Sequence, residues 1–112
     1  MADCLFCKIA AGQIPANVVK RGSGFLAFRD INPQAPTHLL VIPTEHVASL
    51  NEARDPNRLG ELLAFARDLA REMGIADTGY RVVLNTNPDG GQTVFHLHVH
   101  LLGGRPMHWP PG

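Results

Sequence analysis

The sequence predicts an antiparallel α+β domain. Short strand candidates are joined by glycine- and proline-rich turns, one long amphipathic helix follows them, and the length suits one core. The chain has 112 residues, so we expect a single domain over 1–112. A domain of this size buries about two-thirds of its unfolded surface and needs no disulfide framework. Apolar residues make up 45% and charged residues 18%, which excludes a disordered or coiled-coil chain.

Residues 4–11 read as a short helix ended by Gly12. Val18–Arg21 and Phe25–Arg29 are strand candidates flanking Gly22-Ser23-Gly24, a spacing that suits a hairpin. Asp30-Ile31-Asn32-Pro33-Gln34-Ala35-Pro36 is rich in turn formers. His38–Ile42 is a nearly continuous apolar run of strand length. Asp55 is a good N-cap and Pro56 fits the first helical position. Leu59, Leu62, Leu63, Ala66, Leu69, Ala70 and Met73 then give one apolar helical face, and Gly74 ends it. That helix covers a sheet and carries no chemistry. Tyr80–Asn85 is a strand, 87–91 a turn or loop, and Val94–Leu102 the last strand. The tail from Gly103 has no regular pattern.

Ten basic residues balance ten acidic ones. No basic field exists for nucleic acid and no polybasic segment for an anionic membrane. No apolar run reaches the roughly 18 residues of a spanning helix. The first residues lack the charged and apolar regions of a secretion signal. We therefore expect a cytoplasmic protein with no nucleic-acid or membrane partner. The two cysteines, Cys4 and Cys7, suggest metal or redox chemistry more than a structural staple.

His96, His98 and His100 alternate with Leu97, Val99 and Leu101. In a strand, positions i, i+2 and i+4 share a face, so three imidazoles line one surface. A polar, solvent-facing edge is the plain reading. A single metal ion held by all three is opposed by geometry: the outer Cα atoms stand about 13 Å apart. Catalysis on a phosphate is the third reading. Imidazole is a good nucleophile that titrates near neutral pH, and its neighbours can donate hydrogen bonds to phosphoryl oxygens. Asp89-Gly90-Gly91-Gln92-Thr93 precedes the histidines and can serve as an anion-binding turn. Thr93 adds a hydroxyl able to donate to a leaving group, although it also reads as an ordinary strand threonine.

His96-Leu97-His98-Val99-His100-Leu101-Leu102 resembles the signature of the histidine triad superfamily. Phe28–His38 resembles the ribose-binding region of its nucleotide-binding branch, residues 89–92 its phosphate loop, and residues 103–112 its C-terminus. The resemblance implies a five-stranded antiparallel sheet with one long and one short helix, extended to ten strands across a homodimer. It implies binding of purine nucleoside monophosphates and hydrolysis of P–N bonds in nucleoside phosphoramidates, with no cofactor needed for the chemistry; the alternatives are a dinucleoside polyphosphate hydrolase, as in a sister branch, and a nucleotide-binding or scaffolding protein with incidental turnover. His98 would be the nucleophile, supported by His100, His38 and the Thr93 hydroxyl. Asp30 would take the ribose hydroxyls. Asn85, Gly91, Gln92 and Thr93 would contact ribose and phosphate. Phe6, Ile9, Phe28 and Ile31 would enclose the base, with core packing the alternative for all four. Trp109 would approach the partner protomer's site. The best-known members carry serine where this chain has Thr93. Bacterial members with both cysteines bind zinc, which implies a structural site at Cys4, Cys7, His46 and His96. Free thiols and a redox pair remain open for the cysteines.

Overall fold

The computed structural model describes residues 3–112. Helix α1 (Leu5–Ala10) is capped by Cys4, whose sulfur accepts from the Cys7 amide. Strands β1 (Val18–Gly22) and β2 (Phe25–Arg29) follow, and then β3 (Thr37–Pro43). The β1–β2 link is a two-residue turn with φ of 57° at Ser23 and 83° at Gly24. Both central residues lie in the left-handed region that twists a hairpin correctly. A Cβ on Gly24 would stand 2.5 Å from the end of the flexible Arg58 side chain, which would have to shift, so the positive φ rather than the close approach is what favours glycine there.

Helix α2 (Pro56–Glu72) starts where expected, with the Asp55 side chain accepting from the Asn57 amide. Strand β4 (Tyr80–Val83), the single helical turn α3 (Asn87–Gly90) and strand β5 (Val99–Gly103) complete the chain. The five strands form one antiparallel sheet in the order β1-β2-β3-β5-β4. This is the expected α+β class.

Strand alternation divides the core into two layers. Phe25, Ala27, Leu39, Val41, Val99 and Leu101 face α2 and pack on Leu62, Phe65, Ala66, Leu69 and Ala70. Leu26, Phe28, Leu40 and Ile42 face the other way and pack on Phe6 and Ile9 of α1. Among the described residues no helix is long and apolar enough to cross a membrane.

Three expectations need correction. The last strand begins at Val99 rather than Val94. Val41 pairs with Val99, so the next ladder position on β3 is Pro43, which has no N–H to give. The Pro43 carbonyl accepts from His96 Nε2, and the Leu97 amide bonds to the Val47 carbonyl at 2.6 Å. The fourth strand ends at Val83 rather than Asn85. Residues 87–90 form a helical turn, within the turn or loop expected there, closed by Gly91 at φ 86°. On α2, Leu63 is 51% exposed while Phe65 is buried. Phe65 lies three residues from Leu62 and four from Leu69, inside the buried stripe.

Candidate active site and metal centre

The histidine segment keeps its alternation through the extended residues before β5 and into the strand itself. Leu97, Val99 and Leu101 enter the α2-side core. The three imidazoles face the α1 side, where Phe6 meets His96 and His98 edge-on at 5.9 and 5.1 Å. His98 and His100 rings lie 5.1 Å apart. His38 lies behind His100 with ring centres 5.2 Å apart.

Hydrogen bonds to main-chain groups assign the tautomers, because an amide only donates and a carbonyl only accepts. The Gln34 amide donates to His38 Nδ1 at 3.0 Å, so His38 carries its proton on Nε2. That Nε2–H donates to His100 Nδ1 at 3.0 Å and lies 3.4 Å from Asp30 Oδ2. His100 therefore carries its proton on Nε2. His98 Nδ1 donates to the His96 carbonyl at 2.6 Å, which leaves His98 Nε2 with a free lone pair. His96 Nε2 donates to the Pro43 carbonyl at 2.8 Å, which frees its Nδ1.

Burial favours the neutral form of all four rings. It lowers His38, with the nearby Asp30 carboxylate opposing. It lowers His98 and His96, with their backbone acceptors opposing. Burial, then His98 and His38, pushes His100 down to about 4. At neutral pH the site thus presents an unprotonated imidazole nitrogen beside a neutral N–H donor.

The His98 and His100 rings open onto a cavity of about 320 Å³. Phe6 and Ile9 from α1, Phe28 from β2, and Asp30, Ile31, Thr93, His98 and His100, all residues to which the resemblance assigns a role, line it together. His38 acts one layer behind, through His100. Asn85, Gly91, Gln92 and Trp109 do not line the cavity. The amides of Gly91 and Gln92 bond to the Pro88 and Asn87 carbonyls and close α3. The Gln92 side chain is buried, accepting from the Asn87 amide and donating to the Ala48 and Val94 carbonyls. Trp109 is 83% exposed. Sequence reasoning missed Leu40, whose place two residues after His38 on one strand puts it on the same face. It also missed the Gln34 amide, which carries no side-chain signal.

A second cluster joins three segments. One donor atom each from Cys4, Cys7, His46 and His96 lies within 4.8 Å of the others. Cys4 Sγ and Cys7 Sγ approach His96 Nδ1 at 3.3 and 3.5 Å, and Cys7 Sγ approaches His46 Nδ1 at 3.3 Å. A tetrahedral zinc with ordinary bond lengths places sulfur and nitrogen ligands roughly 3.6 Å apart. The donor set fits a closed structural ion, and the His96 Nε2 bond to Pro43 aims Nδ1 at it. Burial and the Cys4 neighbour push the Cys7 thiol up, a cost that a cation at the cluster would reverse.

Comparison with known proteins agrees with the fold. A family model described as HIT domain matches residues 11–107. The chain is 45% identical over 107 residues to the purine nucleoside phosphoramidase of Escherichia coli K12, covering 94% of this chain and 90% of that one. It is 51% identical over 112 residues to the 14 kDa zinc-binding protein of Zea mays, covering 96% and 87%. The crystal structure of a HIT family hydrolase from Legionella pneumophila Philadelphia 1 superposes with a TM-score of 0.95 at 55% identity, over 98% of this chain and 100% of that one.

Proposed function

The chain belongs to the HIT family, and from that premise we propose that it hydrolyses P–N bonds in purine nucleoside phosphoramidates through a nucleotidyl intermediate on His98. The observation that carries this reading is the His98 Nδ1 bond to the His96 carbonyl, which leaves Nε2 as the free nitrogen of a ring lining the cavity. The base lies among Phe6, Ile9, Phe28 and Ile31, and the Asp30 carboxylate accepts from the ribose hydroxyls. Asp30 Oδ1 takes the Asn32 amide at 2.8 Å, which fixes the carboxylate at the cavity rim.

In the first step His98 Nε2 bonds to the α-phosphorus and the P–N bond breaks. The positive charge on the phosphorylated imidazole is stabilised through Nδ1–H by the His96 carbonyl. The His100 Nε2–H donates to the phosphoryl group. His100 Nδ1 already accepts from His38 Nε2–H, so the departing amine takes its proton from solvent as the P–N bond breaks. The Thr93 hydroxyl donates to the same nitrogen. In the second step water attacks phosphorus, returns the proton and releases the monophosphate. The net reaction consumes one water.

Cys4, Cys7, His46 and His96 hold a structural zinc, which when bound supplies cross-linking rather than chemistry. The chain works as a cytoplasmic homodimer of one domain over 1–112, joined through β4 into a ten-stranded sheet that brings Trp109 toward the partner's site. Main-chain amides near Thr93, rather than the Gln92 side chain, serve the phosphate. The test is steady-state hydrolysis of an adenosine phosphoramidate beside diadenosine polyphosphate, for wild type and His98→Ala. P–N cleavage that disappears in the variant supports the reading. Preference for the polyphosphate moves the activity to that substrate, and failure on both with AMP still bound leaves a nucleotide-binding module.

A further inference from the structure

The cavity and the cysteine–histidine cluster share one short helix. α1 has six residues. A helix needs about 12–15 to persist alone, so its place depends on what ties it down. Two i,i+3 pairs divide its side chains. Cys4 and Cys7 meet His46 and His96. Phe6 and Ile9 are buried and form a wall of the cavity. Phe6 also packs edge-on against Phe28 at 5.4 Å and against the His98 ring. None of the four cluster residues lines the cavity itself.

We propose that the Cys4–Cys7–His46–His96 cluster is a clasp that seats α1 as the cavity wall, so that zinc and nucleotide each tighten the binding of the other. This rests on the nucleotide reading given above. Without the clasp, α1 is held by two buried side chains and by the Arg21 Nη1 bond to the Ala10 carbonyl at 3.3 Å. With it, the loop after β3 and the segment before β5 are cross-linked to the helix that carries Phe6. The His96 Nε2 bond to Pro43 and the His98 Nδ1 bond to the His96 carbonyl both join protein groups alone. The nucleophile's tautomer therefore does not depend on the ion, and the linkage is expressed in nucleotide affinity.

The test uses the wild-type chain, zinc-loaded and chelator-stripped. AMP binding is followed by calorimetry, and amide exchange is followed at Lys8 and Ala11. Those amides close α1 on the Cys4 and Cys7 carbonyls. Stripping is expected to weaken AMP about tenfold, and AMP must then tighten zinc by the same factor. Zinc is expected to slow exchange at Lys8 and Ala11 while Val41 in β3 stays protected in both forms. Cys7→Ser should match the stripped protein whether or not zinc is added. Equal AMP affinity in both forms overturns the linkage alone. AMP binding to neither form overturns the nucleotide reading and the linkage with it. Loss of protection at Val41 on stripping overturns a local clasp in favour of zinc as a requirement for the whole fold.

Discussion

His98 donates its Nδ1 proton to the main-chain carbonyl of His96 across 2.6 Å, and this one bond orients the ring, fixes its tautomer and leaves Nε2 free. His98→Ala removes the nitrogen while leaving the other cavity-lining residues unchanged. We expect turnover to fall at least about a thousandfold, the scale on which removal of a covalent nucleophile acts. AMP binding should change by less than about tenfold. Denatured wild-type enzyme quenched during turnover should carry a nucleotidyl adduct by mass spectrometry. Turnover close to wild type in the variant would remove His98 as the nucleophile.

Asp30 holds two relationships: its Oδ1 accepts from the Asn32 amide, and its Oδ2 faces His38 Nε2 at 3.4 Å. A carboxylate at the cavity rim suits a ribose diol, since it only accepts hydrogen bonds. Asp30→Ala should therefore weaken AMP more than its 2′,3′-dideoxy analogue, by a difference of about tenfold in dissociation constant. Equal losses for both ligands would show that Asp30 acts through His38 and not through the sugar.

Much of this was legible because side-chain period, caps and turn residues agree locally. Asp55-Pro56 and Gly74 marked the ends of α2, and Ser23-Gly24 marked the hairpin. The alternation of histidines with aliphatics correctly placed the imidazoles on one face, although the strand itself starts later. What periodicity cannot show is which main-chain groups a side chain meets. Gln92 looked like a phosphate contact, yet its amide is consumed by Asn87, Ala48 and Val94. The tautomer of His38 depends on the Gln34 amide, and any residue but proline supplies one.

Burial gives the fold a defined pH response. The folded value of His100 is about 4, against an ordinary 6.5. Between those values the unfolded chain holds a proton that the folded chain does not. Stability is fully present above pH 6.5, and it is lost as pH falls toward about 4. His38 is shifted in the same direction and adds to the loss. In chelator-treated protein, the urea midpoint should be lower near pH 4.5 than near pH 7 (~2.5 units apart). His100→Gln should flatten that difference. An unchanged slope in the variant would assign the response to other groups.

Metal analysis should find about one zinc per chain after purification in zinc, because four ligands from three segments converge. Less than about 0.2 per chain would reject the site. Cys4→Ser should lose the metal and lower the melting temperature of the zinc-treated protein, since an ion that binds only the folded state stabilises it. Stripped wild type and Cys4→Ser should then melt together.

β4 ends the sheet, so its outer edge has no partner strand among the described residues. An unpaired edge is a template for another strand. Tyr80 and Val82 are exposed on it, and Leu63 of α2 faces them across a groove that also includes Gly60, Ala64 and Arg67. Leu63 broke the expected buried face of α2, and this groove gives that exposure a use. Pairing two copies of β4 about a two-fold axis would cover the edge and both apolar walls at once. Val82→Lys places a charge in that contact while costing the separate protomer little, since Val82 is already exposed. Sedimentation should show a dimer for wild type and a monomer for Val82→Lys, with Leu63→Glu repeating the effect from the other wall. A Val82→Lys protein that stays dimeric would place the interface elsewhere, and Trp109 would then have no partner site to approach through β4.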